Sequence, residues 1–181
     1  MPVDHRQLRN CLGHFATGVT VVTTESAGGG HGTTVSSFAA VSLDPPLVLV
    51  SLDRRSTMCR LLQGNPFTVN VLRASQEDLA LHFAGKRVVP QVRWAPRNGH
   101  LAPRLSEVLG YLACSPWCAY SGGDHMLFLG RVEQYAYYGG DPLLFFRGRF
   151  AGLEAAPEDS PWIGSLDSPD AGWLTPVPAN H

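Results

Sequence analysis

Charge is scarce in this chain and nearly cancels: 16% of its 181 residues are charged and the formal net charge is −1. A chain without a long basic run lacks the electrostatic footprint that binding along nucleic acid requires, so no nucleic acid is expected as a partner. Arg54-Arg55 and Arg147/Arg149 are local pairs, enough to hold one phosphate and too few to coat a duplex. Cysteine is also sparse. Cys11, Cys59, Cys114 and Cys118 are scattered and form no C-x-x-C pair, which argues against a disulfide scaffold, a zinc site or thioredoxin-like chemistry. They read as reduced packing residues of a cytoplasmic protein. Long apolar runs are missing too: MPVDHRQLRNCLG has no signal core, and the run from Val41 to Leu52 is broken by Asp44-Pro45-Pro46. Neither a membrane span nor an export signal is expected. The triple glycine Gly28–Gly30 is followed by no Gly-Lys-Ser/Thr and opens no G-x-G-x-x-G helix, so it reads as a hairpin turn and not a phosphate loop.

What is present is an ordinary globular composition, 44% hydrophobic, in a length that suits one domain with a full core. Asp4 is placed to cap a helix in which Leu8, Leu12 and Phe15 recur at helical spacing, with Gly18 as its C-cap; that apolar face is expected to pack on the chain segment after the helix. Val19–Thr24, Leu47–Leu52, Phe67–Leu72, Met126–Tyr137 and Leu143–Phe150 read as strands, with two more around Leu105–Ser115 and Trp117–Ser121. Ser75-Gln76-Glu77-Asp78 starts a short helix that carries Leu79 and Phe83. Gly122-Gly123-Asp124-His125 is a tight turn. Short strands at regular spacing with a few helices inserted indicate a mainly-β barrel. Residues 1–153 form the expected domain. Residues 154–181 form a proline-rich tail in which Trp162, Ile163, Trp173 and Leu174 suit an arm against a partner subunit as well as plain disorder.

The most informative stretch runs from Gly30 to Thr57. Thr33, Thr34, Ser36, Ser37 and Ser42 fill one strand around Val35, Phe38 and Val41, a polar excess that fits either a solvent-facing edge or a binding surface. After the Asp44-Pro45-Pro46 corner, Leu47–Leu52 reads as a buried strand, and Asp53 or Ser56 caps a helix through Leu61-Leu62. Arg54, Arg55, Ser56 and Thr57 then surround a helix N-terminus, where free N–H groups favour an anion. Lys86, past the helix that holds Phe83, is a further candidate phosphate contact.

Several of these segments, in order, resemble the flavin-reductase-like family of the FMN-binding split-barrel fold, which includes the small reductase components of two-component flavin monooxygenases. They are FATGVTVVTT (15–24), HGTTVSSFAAVSLDPPLVLVSLDRRS (31–56), FTVNVL (67–72), Gly123-Asp124-His125 followed by LGRV, and PLLFFRGRF (142–150). The resemblance spans about Leu8 to Leu153. It implies a split β-barrel of Greek-key type, about six strands with a few short helices, that assembles as a homodimer with the flavin near the interface. It implies that Thr34, Val35, Ser36 and Ser37 line the isoalloxazine, that Ser51, Leu52, Asp53, Arg55, Ser56 and Thr57 serve the ribityl chain and phosphate, and that Phe83, Ala84, Lys86 and Phe150 add contacts. His125, with Asp124 beside it, falls on the nicotinamide side. Departures from the family pattern fall at Ser36, Met58 and Phe150 and bear on flavin affinity and FMN/FAD preference.

The expected activity is therefore hydride transfer from NADH or NADPH to FMN, or FAD, with reduced flavin supplied to a separate monooxygenase or halogenase. Such chemistry needs orientation and electrostatics more than a nucleophile or metal. Two other readings are an FMN-dependent oxygenase acting on a small organic substrate and a noncatalytic flavin- or haem-binding module.

Overall fold

The computed structural model describes residues 3–88, 90–97, 99 and 101–153. The tail at 154–181, with its tryptophans, lies outside them. The described residues form ten strands and three short α-helices, against the roughly six strands expected: α1 (His5–Leu12), β1 (Thr17–Gly18), β2 (Thr20–Ser26), β3 (Gly29–Val35), β4 (Ala39–Leu43), β5 (Pro46–Asp53), α2 (Thr57–Leu61), β6 (Phe67–Val71), α3 (Glu77–Phe83), β7 (Gly110–Gly122), β8 (His125–Tyr137), β9 (Leu144–Phe146) and β10 (Arg149–Ala151). Among the described residues no helix is long and apolar enough to cross a membrane.

Seven strands make one sheet in the order β3-β2-β6-β7-β8-β5-β4, and β1, β9 and β10 make a small second sheet. The polar stretch expected as a single strand from Thr33 to Leu43 is in fact cut in two. Its halves, β3 and β4, lie at opposite edges of the large sheet. Ser36–Phe38 joins them, and the Ser37 hydroxyl clips that join to β5: it donates to the Ser51 carbonyl at 2.7 Å and accepts from the Ser51 N–H at 3.1 Å. The sheet thus curls until its edges approach without pairing. This is a split β-barrel.

Strand periodicity sends neighbouring side chains to two cores. Val22 points into the barrel with Val48, Val50, Leu52, Phe67, Val69 and Phe128, closed at one end by Met58, Cys59 and Leu62 around α2. Val19 and Val21 point outward to a second core with Leu72, Leu79, Leu105, Val108 and Leu143, roofed by α3 and the small sheet. Gly130 on β8 is required here, because a Cβ would run into the Phe67 ring and the Cys114 side chain.

Several expected boundaries move. Leu105–Ser115 and Trp117–Ser121 do not hold two strands; β7 runs unbroken from Gly110 to Gly122. Pro116, which cannot donate to a ladder, is accommodated at a register shift between Pro116 and Cys118. Leu143–Phe150 is a hairpin, β9 and β10, turned by Arg147 and Gly148 at φ of 48° and 79°. Helix α1 is capped by Asp4, whose Oδ1 accepts from the N–H of Arg6 at 2.8 Å and of Gln7 at 3.2 Å. It ends at Gly13, not Gly18, because Gly18 is already paired to Leu144 in the small sheet. Its apolar face does not pack on the segment after it: Leu8 is 43% exposed and Leu12 64%, and Phe15, past the helix end, is 78% exposed. No residue of α1 is buried.

Candidate functional site

The open edge of the barrel holds a cleft of about 310 Å³ lined by Thr33, Thr34, Val35, Ser36, Ser37, Ser51, Leu52, Asp53, Ser56 and His125. Four chain segments meet there: the end of β3 with the crossing after it, the end of β5, the start of α2 and the start of β8. Their convergence comes from the register. Asp53 pairs with His125 at the last step of the β5·β8 ladder, which brings the helix start and the hairpin histidine to one rim.

Hydroxyls dominate the walls and are not equivalent. Thr34 Oγ1 donates to the Ala80 carbonyl at 2.7 Å, tying β3 to α3, and Ser37 is spent on Ser51. Ser56 Oγ accepts from the Cys59 N–H at 3.0 Å as the N-cap of α2. The hydroxyls of Thr33, Ser36 and Ser51 have no protein partner among the described residues, and all three line the cleft. Val35 supplies apolar surface among them, whereas Leu52, though it borders the cleft, is 3% exposed and belongs to the barrel core. Unpartnered donors around a cleft that also presents Val35 suit a flat heteroaromatic ring with polar rim atoms. A flavin ring is such a group, and the residues present fit it.

The charged groups at the rim pair among themselves. Asp53 accepts from the Arg55 N–H at 2.8 Å and from the Arg55 guanidinium at 3.1 and 2.7 Å. Those hydrogen bonds hold the Asp53 carboxyl well below the usual carboxylate range, helped by the Arg55 charge. Arg54 turns the other way, to the carbonyl of Gly123 and the hydroxyl of Ser121. The expected pair of guanidinium groups over the helix start is therefore replaced by two arginines already engaged on either side of it. Thr57 opens α2, and its hydroxyl accepts from Arg60 at 3.2 Å. Asp124 is 90% exposed and His125 42%, and Asp124 Oδ1 lies 2.7 Å from His125 Nδ1. That hydrogen bond, and after it the histidine's charge, lowers the Asp124 carboxyl.

Four expected contact residues lie away from the cleft. Phe83 packs behind β3, its ring against Gly32, where a Cβ would meet it at 2.7 Å. Ala84 is the C-cap of α3, and Lys86 is exposed beyond it. Phe150 packs on Phe145, ring centroids 5.5 Å apart, in the outer core. Met58, a departure from the family pattern, is a core residue and 1% exposed, whereas Ser36 does line the cleft. Thr33 is a lining residue that the expected set omitted. The alternating glycines of β3 are the other missed signal. A Cβ at Gly30 would meet the Trp94 ring at 2.8 Å, so Gly30 and Gly32 let Trp94 and Phe83 lie against the outer face of the strand. Glycine at every second strand position marks such close approach.

A family model described as "Flavin reductase like domain" matches residues 12–154. An NADH-dependent flavin reductase from a Rhodococcus species is 44% identical over 160 residues, which cover 86% of this chain and 90% of the relative. The reductase component of 4-nitrophenol 4-monooxygenase/4-nitrocatechol 2-monooxygenase from Rhodococcus opacus is 36% identical over 150 residues, covering 82% of this chain and 81% of the relative. The crystal structure of the flavin reductase component of a bacterial two-component tryptophan halogenase superposes with a TM-score of 0.75 at 38% identity, covering 83% of this chain and 98% of that one. The hydroxyl-lined cleft at the split of the barrel is thus set in a chain that belongs to the flavin-reductase-like family.

Proposed function

We propose that this protein is an NADH- or NADPH-dependent flavin reductase that holds the ring of FMN or FAD in the cleft between Thr33–Ser37 and Ser51–Ser56. When bound there, the flavin supplies the redox chemistry by accepting a hydride from the nicotinamide. The chain's own residues do the rest. Thr33, Ser36 and Ser51 offer hydroxyls to the polar rim of the ring, Val35 flanks its apolar body with Leu52 backing the cleft from the barrel core, and the α2 start at Ser56 and Thr57 faces the phosphate end. Asp124 fixes one nitrogen of His125, leaving the other to orient the nicotinamide. Fixed donors beside the ring favour the charge that grows on reduction. The observation that carries the reading is the convergence of three unpartnered hydroxyls and His125 on one cleft.

About 310 Å³ lies at the low end of the roughly 300–1,000 Å³ typical of small-molecule sites. That volume suits a ring system and leaves the rest of the cofactor to be covered from elsewhere. A second copy of the chain is the natural cover, and the bare apolar surface supports it: Leu8 and Leu12 of α1, Phe15 just past that helix, Leu43 of β4, and Tyr135 and Tyr137 of β8 are all exposed. The active form is accordingly a homodimer. It hands reduced flavin to a separate monooxygenase or halogenase. The four free cysteines are in keeping with a cytoplasmic location.

Purified protein should consume NADH or NADPH only when FMN or FAD is added. His125→Ala should raise the KM for the nicotinamide roughly tenfold, equivalent to about 1.4 kcal/mol, and leave the flavin Kd within about twofold. Bound flavin that neither nicotinamide reduces would make the chain a noncatalytic flavin module.

A further inference from the structure

We propose that Arg54 is a positioning residue for this reaction, locking the Asp124–His125 turn to the end of β5 so that the histidine keeps a set place relative to the cleft. The inference rests on the reading of His125 as the nicotinamide-side residue.

The hairpin that carries His125 needs such a lock. The β5·β8 ladder stops at Asp53–His125, and the tip beyond it, Gly123-Asp124, projects past the end of the sheet. Gly123 has a φ of 71°, and Asp124 and His125 are in large part solvent-exposed. A two-residue tip held only by its own strands frays readily. Arg54 supplies two donors to it and a third to Ser121 on the strand that enters it. Its backbone N–H donates to the Asp124 carbonyl at 3.1 Å, its Nε donates to the Gly123 carbonyl at 2.7 Å, and a terminal guanidinium nitrogen donates to Ser121 Oγ. The planar fork reaches two acceptors at once, which an ammonium group on a flexible stem does not reproduce.

The base from which Arg54 acts is itself fixed. The Ser56 N–H donates to the Asp53 carbonyl at 2.9 Å, Ser56 caps α2, and Arg55 closes on the Asp53 carboxylate. Two adjacent arginines thus face opposite ways: Arg55 folds back to rigidify the 53–56 turn, and Arg54 extends that rigidity across to 121–125. The helix start and the His125 turn become one hydrogen-bonded unit. These bonds are exposed, and exposed polar contacts add little to stability, so their effect is expected in placement and not in folding.

The test uses the full-length protein with Arg54→Met, Arg54→Lys and Ser121→Ala, each made with and without His125→Ala. It reads KM and kcat for NADH, the FMN Kd by fluorescence quenching, and the thermal midpoint. Arg54→Met is expected to raise the KM for NADH roughly fivefold to tenfold, with the FMN Kd within about twofold and the midpoint nearly unmoved. Lysine should restore little of this, and Ser121→Ala should give a smaller rise. In the His125→Ala background, Arg54→Met should have no further effect, because the residue it positions is gone. Equal effects of Arg54→Met in both backgrounds, or a fall in FMN affinity, would overturn the proposal and make Arg54 a direct ligand. Should His125→Ala alone leave NADH kinetics unchanged, the reading of His125 fails and this inference falls with it, an outcome distinct from a failure of Arg54 alone.

Discussion

Two stretches of this molecule are rich in the same small polar residues and use them in opposite ways. In the central strands β2 and β6, Thr20, Thr23, Thr24, Thr68 and Asn70 are all buried, and each has protein partners. On the edge strand β3 and its crossing to β4, Thr33–Ser37 are partly buried or exposed, and the Thr33 and Ser36 hydroxyls have no protein partner among the described residues. The difference comes from the neighbours. A central strand has backbone carbonyls and packed loops within reach on every side. The split leaves β3 with one flank open, so its hydroxyls meet a cleft. Polar residues in a strand mark a binding wall only where the topology withholds their internal partners.

The sharpest way to break the comparison is at Asn70. Its side-chain nitrogen donates to the Val21 carbonyl at 2.8 Å and to Thr23 Oγ1 at 3.0 Å, and its oxygen accepts from the Leu105 N–H at 2.9 Å. That last bond pins the 101–109 segment to the outer core. Asn70→Leu keeps much of the volume and strands those groups without partners, each costing about 1–3 kcal/mol. A loss of roughly 3 kcal/mol in urea unfolding is expected, with FMN affinity unchanged in protein that remains folded. A flavin Kd that weakened in step with stability would mean that the two polar regions are not separable.

Ser36 and Ser37 sharpen the same contrast within adjacent residues. Ser37→Ala removes the clip that joins the β3–β4 crossing to β5 and should cost about 1 kcal/mol of stability. Ser36→Ala removes a hydroxyl without a protein partner and should leave stability within about 0.5 kcal/mol. It should instead weaken flavin binding roughly fivefold, the equivalent of about 1 kcal/mol for one hydrogen bond. Equal stability losses at both positions, measured beside FMN titrations, would erase the distinction between wall and clip.

That distinction is only half legible in the sequence. The β-rich pattern, the Asp44-Pro45-Pro46 corner, the Ser56 cap and the Gly123-Asp124 turn are local signals, and all four appear where the residues suggest. The break at Ser36–Phe38 is not local. A continuous run of threonine and serine carries no mark that its halves belong to opposite edges of a sheet. Only closure of the barrel separates them. Phe83 and Phe150 are expected at the site through a family pattern that fixes position along the chain and not the direction of a side chain; in this chain both serve the outer core. The face of α1 fails for another reason. Helical spacing predicts an apolar stripe that holds at Leu8 and Leu12 and stops short of Phe15, which lies past the helix end, and it does not say which molecule covers that stripe.

Acid should separate the two polar regions most gently. The buried network of threonines and Asn70 has no ionisable member, whereas the cleft rim holds Asp53 and Asp124, both with carboxyls below their ordinary value. A carboxyl depressed in the folded state binds its proton more readily when the chain unfolds. Its contribution is fully present above the unfolded value of about 4 and is lost as pH falls through the folded one. Stability should thus be insensitive to these two groups between about pH 5 and 8 and decline below about pH 4. Both side chains meet solvent, so the decline they cause should be small. Asp53→Asn should lose less on acidification than the parent, because the proton that opposes its bonds to Arg55 has no carboxylate to bind. Asp124→Asn should behave likewise through its bond to His125, while Asn70→Leu should keep the parent's acid slope from a lower starting point. Parallel acid unfolding curves for the parent and both aspartate variants would show that the rim pairs carry no pH-dependent stability, and would leave their role to the positioning of the site.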